Sequence, residues 1–287
     1  LLAVPGALFF LFFRVMSGFG SLIAWQDFSI FAGFWNSDWV GWKNFQDMFL
    51  YHNFDRILRN SLIIGFQRIV FSFPVPIILA LLLNEVRAAA YKRSIQTLAY
   101  FPHFLSWVIV SQIFINLLSP DGGIVNVIRQ NLLDLEPRFF MIERSFFRPV
   151  VLVSYIWKQS GFDSIIYLAA LSAIDPQLYE AAAIDGATRW RQLWMITLPS
   201  LLPTIVTLLL VHIGRFLEIG FDQIWTLSNP LVWEVADIFD TYVYRAGLLD
   251  GAYSLTTAVN LFKAAVSLVL LTGANSTAKR LTGTGIF

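Results

Sequence analysis

The chain has 287 residues, of which 57% are hydrophobic and 14% charged, with a mean hydropathy of +0.64 and a formal net charge of +1. A soluble domain of that composition would carry far more apolar surface than it could bury, so lipid is the solvent for much of the chain. The near-neutral balance leaves no electrostatic footprint for nucleic acid, and the lack of cysteine removes disulfides, thiolate metal sites and cysteine nucleophiles.

A hydrocarbon core of roughly 30 Å takes roughly 20 helical residues to cross. Apolar runs near that length lie at about 2–25, 60–83, 98–118, 150–173, 200–219 and 252–273, separated by clusters of Pro, Gly, Asn and Asp that mark turns. The pattern predicts an all-α membrane protein, a single transmembrane domain of six helices over 1–287. The first run has no small-residue cleavage site and reads as a spanning segment that is its own membrane signal. Leu1 in place of Met suggests a native N-terminal tail before it.

After the first run, a stretch rich in rings holds Trp25, Trp35, Trp39, Trp42, Phe28, Phe31, Phe34, Phe45 and Phe49. Such rings suit a membrane surface, where an apolar body and a polar edge are both satisfied, or a docking surface for an external partner. In the second run Pro74 and Pro76 each remove an interior hydrogen bond and predict a kink. The third and fourth are interrupted by Gln112, Asn116, Lys158 and Asp163. Segments 84–97, 174–199 and 274–287 are denser in Lys and Arg than loops 26–59, 119–149 and 220–251. Both termini and 174–199 are therefore expected in the cytoplasm, with the three loops outside.

The most informative stretch is 174–199, IDPQLYEAAAIDGATRWRQLWMITLP. Asp175 can cap a helix that opens at Pro176, with Ile174 packing on Tyr179 as a hydrophobic staple. Gly186 supplies the left-handed conformation that ends this helix, and Thr188 can cap a second one running to Pro199. Consecutive alanines let another protein's backbone approach closely, while Glu180 and Asp185 offer charge for orientation. An amphipathic helix resting on lipid would need more basic residues on one face.

Glu180, Ala181, Ala182, Gly186, Ile196, Leu198 and Pro199 match the EAA motif of ABC importer permeases without a gap. The run Asp237 to Lys263 and the ending GTGIF resemble the oligosaccharide and polysaccharide permeases among the type I importers, most of all the first permease subunits of alginate importers. The resemblance implies that Glu180, Ala181, Ala182, Ala183, Asp185 and Gly186 form a coupling helix gripped by an ATPase subunit. It also implies a multi-pass protein of the bacterial inner membrane with both termini in the cytoplasm. The expected partners are a second homologous permease, two ATPase subunits that use ATP and Mg, a periplasmic solute-binding protein delivering the saccharide, and the lipid bilayer. This chain itself would bind no cofactor.

An ion inside a span costs several kcal/mol unless paired or hydrated, which makes each one a functional candidate. Arg14, Arg68, Lys158, Arg215 and Lys263 outnumber Asp163 and Glu218 within the predicted spans, a surplus that would favour an anionic cargo. Arg215 and Glu218, three apart on one predicted helix, can neutralise each other. Lys158 and Asp163 lie about 140° apart on an ideal helix, so each needs a partner on another element. Sugar hydroxyls need paired donors and acceptors, and pyranose rings suit aromatic faces. The route is therefore expected to use Gln112, Asn116, Trp157, Lys158, Gln159, Asp163, Asn260 and Lys263, with Tyr155 supplying a similar group; intramembrane amides also serve to tie helices together.

His52, His103 and His212 occur singly, with no metal-binding spacing, and no GxxxxGK[ST] is present to cradle ATP phosphates. Nothing places two carboxylates across a substrate bond, so the chain is not expected to be an enzyme. A carrier driven by an ion gradient would share the spans and buried charges but would leave the EAA loop without a purpose. A membrane scaffold would make the buried charges structural.

Overall fold

The computed structural model describes residues 3–283, 285 and 286; Leu2, at the start of the first predicted span, and Thr284 and Phe287 of the GTGIF ending lie outside the described residues. The chain is helical almost throughout. Its principal helices are α1 (Val4–Trp25), α2 (Lys43–Leu50), α3 (Phe54–Glu85), α4 (Ala89–Phe104), α5 (Trp107–Leu117), α6 (Ile124–Leu133), α7 (Arg144–Ser172), α8 (Pro176–Ile184), α9 (Arg189–Gly214), α10 (Phe221–Leu227) and α11 (Tyr253–Thr282). By length and composition α1, α3, α9 and α11 can each cross a membrane, and α4 with α5 makes a fifth if that bent pair is one span. α7, at 29 residues, is long enough but more polar.

Three predicted spans change shape. The apolar run at 98–118 is not one straight helix: α4 and α5 meet at 105°. Pro102 and the N-cap Ser106, whose Oγ accepts from the Ile109 N–H at 3.4 Å, end one helix and begin the next. The fifth span stops at Gly214, so Arg215 and Glu218 stand in the turns beyond it, not three apart on one helix. Ahead of Pro74 and Pro76, where a kink is expected, the structure has a π turn over Arg68–Ser72, closed by the Phe73 N–H on the Arg68 carbonyl at 3.1 Å, and α3 continues through it for 32 residues. α9 repeats the device with a π turn over Leu193–Thr197 directly before Leu198 and Pro199. Widening the turn takes up the missing hydrogen bond and keeps the proline ring off the preceding carbonyl.

The chain divides into two compact units. The first comprises residues up to Ser61 together with Asp237–Leu268. It contains the only strands among the described residues, β1 (Gln26–Asp27) and β2 (Asp38–Trp39), paired antiparallel with Gln26 opposite Trp39. Asn44 fastens this hairpin by donating to the carbonyls of Ala24 (2.9 Å) and Gln26 (2.8 Å). Phe31, Trp35, Trp39 and Trp42 are left exposed on it. Beneath lies a cluster of rings in which Phe54 sits 5.1 Å from Phe49, 5.8 Å from Phe262 and 6.0 Å from Phe239. The buried Asp237 carboxylate accepts from Arg245 (2.5 Å) and Thr241 (2.7 Å), with Arg56 at 3.7 Å. These partners offset the cost of removing the charge from water.

The second unit comprises Leu62–Ala236 and the chain from Val269. α7 carries ten buried residues, among them Ser154, Lys158, Ser160, Gly161 and Ser164. The small ones admit close neighbours, as at Gly161, whose backbone touches the Ala99 carbonyl of α4. At its C-terminal end Tyr167 and Leu171 form a core with Ala80 of α3 and Leu201 of α9, and Ile174 and Leu208 pack against it.

Candidate functional site

The unit has two features capable of function, an exposed elbow and an internal cavity. The elbow begins where Asp175 Oδ1 accepts from the Gln177 N–H at 2.9 Å and Pro176 takes the first helical position of α8. It ends in a Schellman motif: the Ala187 N–H bonds the Ala182 carbonyl (2.8 Å), the Gly186 N–H bonds the Ala183 carbonyl (3.1 Å), and Gly186 has φ +76°. Thr188 then caps α9 by accepting from the Arg191 N–H at 3.4 Å. The second helix does not stop at Pro199 as expected, because the π turn carries it on into the long α9.

Side chains lock the elbow closed. Gln192 Nε2 donates to the carbonyls of Tyr179 (3.5 Å) and Ala187 (3.4 Å), Tyr179 Oη meets Thr197 Oγ1 at 3.0 Å, and Arg189 pairs with Glu85 at the end of α3 at 2.6 Å. The outward surface presents Glu180, Ala181, Ala183, Asp185 and Gly186, all exposed, with Ala182 half-buried and Ile184 87% exposed. Small residues, a projecting isoleucine and two carboxylates suit a protein groove better than an anionic lipid surface. Both ends of the elbow are seated in one apolar core, through Ile174 before it and Leu201 after it. The elbow is thereby joined to α7 and α9 through one core.

The cavity, of about 410 Å³, is lined by α3 (Gly65, Arg68, Ser72, Phe73), α7 (Tyr155, Gln159, Asp163, Tyr167), α9 (Leu208, Val211, His212) and the following turns (Arg215, Phe216, Glu218, Ile219), with Trp107 of α5. The Arg68 guanidinium lies 4.0 Å over the Tyr155 ring and donates to the Ile219 carbonyl and to Gln223 Oε1. Gln223 Nε2 in turn donates to the Val151 carbonyl (2.7 Å) and Ser154 Oγ (2.9 Å), so the guanidinium is fixed. Gln159 Oε1 meets His103 Nδ1 at 2.7 Å, and that imidazole stacks on Phe162 at 3.9 Å. Tyr167 and Leu208 belong to both the cavity wall and the core under the elbow.

Of the residues expected along a route, Tyr155, Gln159 and Asp163 line this cavity, and Gln112, Asn116, Trp157, Lys158, Asn260 and Lys263 stand elsewhere. Gln112 donates to Asn116 at 2.8 Å on an exposed face of α5. Trp157 packs edge-on against Phe114 at 5.9 Å, Asn260 is exposed on α11, and Lys263 pairs with Asp240. Lys158 is buried and bound to backbone carbonyls. The expected surplus of positive charge disappears: Arg14 is exposed on α1, Lys158 and Lys263 are engaged, and the cavity sets Arg68 and Arg215 against Asp163 and Glu218. Tyr167 and Ser72, which were not expected there, had a sequence signal. Positions 155, 159, 163 and 167 step by four along one face of α7, as do 68, 72 and 76 on α3.

The family described as binding-protein-dependent transport system inner membrane component matches residues 72–281. Over 287 residues the chain is 47% identical to the polygalacturonan/rhamnogalacturonan transport system permease protein YteP of Bacillus subtilis (strain 168), covering 100% of this chain and 89% of YteP. It is also 47% identical to Protein LplB of the same organism, over 100% of this chain and 90% of LplB. A chain of the crystal structure of a bacterial alginate ABC transporter in complex with alginate pentasaccharide-bound periplasmic protein superimposes with a TM-score of 0.90 at 39% identity, covering 99% of this chain and 95% of that one.

Proposed function

This chain belongs to the family of binding-protein-dependent transport system inner membrane components, the non-enzymatic permease subunits of ABC importers, here for a sugar or polysaccharide, and we propose that its cargo is an acidic polysaccharide or its oligomers. Support for an acidic cargo comes from the relatives, one described as transporting polygalacturonan and rhamnogalacturonan and another solved with alginate. A second homologous permease completes the pathway. Two ATPase subunits supply the energy from ATP and Mg, and a periplasmic binding protein delivers the cargo to the outer loops, including 119–149 and 220–251. Both termini face the cytoplasm. Phe31, Trp35, Trp39 and Trp42, all exposed, rest at the outer membrane surface.

The observation that carries this reading is the elbow, a braced and outward-facing α8 seated at both ends in the core that walls the cavity. An ATPase gripping Glu180, Ala181, Ala183 and Asp185 would move α7 and α9 as one piece. Tyr167 and Leu208 would carry that shift into the cavity, where Gln159, Asp163 and Arg68 meet the passing saccharide. A carrier driven by an ion gradient gives the elbow nothing to do.

The test is uptake by the assembled transporter in proteoliposomes, comparing oligogalacturonate with the same oligomer whose carboxyl groups have been reduced to alcohols. ATP-dependent uptake of the acidic oligomer, without competition from the reduced one, is expected. Equal uptake of both would refute an acidic cargo, and uptake on an ion gradient without ATP would favour the rival carrier.

A further inference from the structure

The sequence set Lys158 apart as a charge inside a span that needs a partner on another element, and the structure gives it an unusual one. Its side chain is 6% exposed, and Nζ donates at 2.6 Å to the His103 carbonyl and at 2.6 Å to the Leu105 carbonyl. Nζ also lies over the face of Trp107, with the ring centroid 5.5 Å away. Among the described residues no carboxylate lies within ion-pairing distance of it. Asp163, five positions on, is turned about 140° around the helix and faces the cavity instead.

Those two carbonyls sit at the 105° break between α4 and α5. The last carbonyls of a helix have no partner within it and carry the negative end of its dipole. Brought together in a bend, their oxygens make a site that favours a positive donor between them. In discontinuous membrane helices of other transporters, unwound carbonyls and helix C-terminal ends at such breaks coordinate a free sodium ion or proton. We infer that the Lys158 ammonium is a tethered cation occupying a monovalent-cation site at the break between α4 and α5, so that removing it leaves a site for a small free cation. The two carbonyls and the aromatic face coordinate it as they would a bare ion. By holding the bend, it sets the position of Trp107 in the cavity wall. Lys158 is thus a positioning residue that spares the chain any need for an exchangeable ion at this point, whatever the cargo.

The absence of native cysteine makes the test clean, because Lys158→Cys introduces this chain's only thiol. The purified, assembled transporter carrying it is alkylated either with 2-bromoethylamine, which restores an ammonium at nearly lysine length, or with iodoacetamide, which adds a neutral amide. Mass spectrometry confirms each adduct, and wild type treated in parallel controls for the other subunits. The readout is the thermal midpoint in ammonium chloride against choline chloride at equal ionic strength, which involves neither cargo nor turnover. The wild type and the aminoethylated variant should show no preference between the salts. The unmodified variant and its neutral adduct should melt several degrees lower in choline and recover in ammonium. A neutral adduct as stable as the charged one, or an unmodified variant blind to the identity of the cation, would overturn the inference. If the cysteine variant does not assemble, accumulation of Lys158→Arg beside Lys158→Gln decides: arginine alone accumulating supports it, and equal accumulation refutes it.

Discussion

Gly161 and Gly186 lie on either side of one helix end and are glycines for opposite reasons. At Gly161 the backbone conformation is ordinary, but a Cβ would collide with the Ala99 carbonyl carbon and oxygen, because α7 and α4 pack backbone against backbone. At Gly186 a Cβ would meet nothing within 4 Å, yet φ is +76°, a conformation that side chains other than Asn resist. The first glycine serves packing inside the bundle. The second serves the shape of the exposed elbow, the surface proposed to meet an ATPase. Substitution should therefore separate folding from coupling.

The largest effect is expected at Gly161. Replacement by Val or by Asn should cost at least about 3 kcal/mol, the upper end for overpacking, because the neighbour that must yield is backbone; loss of accumulated, monodisperse protein is the readout, and normal accumulation of either variant would break the packing half of the comparison. Next, Asp237→Ala should destabilise by about 3 kcal/mol, since it removes the buried carboxylate that Arg245, Thr241 and Arg56 share. Its thermal midpoint should fall well below that of wild type, and an unchanged midpoint would make the network dispensable.

Gly186→Val should cost only about 1–2 kcal/mol in stability and still insert, but uptake should be lost because the elbow's shape changes. Gly186→Asn, which tolerates the left-handed conformation, should keep most of the uptake. If the two variants transport equally, conformation at this turn is not what matters. The smallest effect is assigned to Arg189→Ala, which removes an exposed pair with Glu85 and should shift stability by less than about 1 kcal/mol, measured in the same thermal assay.

The sequence made the elbow readable almost atom by atom, because its signals are local. Asp175, Pro176, Gly186 and Thr188 each act within a few residues, and all four stand in the expected roles. What depended on distant neighbours was harder to read. The break at Leu105 hid within a continuous apolar run, although Pro102 and Ser106 marked it. Counting charges along spans predicted a positive route, but folding sends Lys158 to a bend and Lys263 to Asp240 and sets Arg68 among acids. Helical phase would have sorted the polar residues better than their number: Tyr155, Gln159 and Asp163 share a face of α7 that Trp157 and Lys158 do not.

The central claim is that the elbow is where an ATPase takes hold, and Ile184, the most exposed apolar side chain on α8, lies in the middle of that surface. A benzophenone maleimide attached to Ile184→Cys, on a chain with no other thiol, reports directly on what lies against it. In the fully assembled particle, illumination should join this chain to the ATPase subunit, with a yield that changes when ATP is added. Capture of lipid alone, with no adduct to the ATPase in either nucleotide state, would contradict the account.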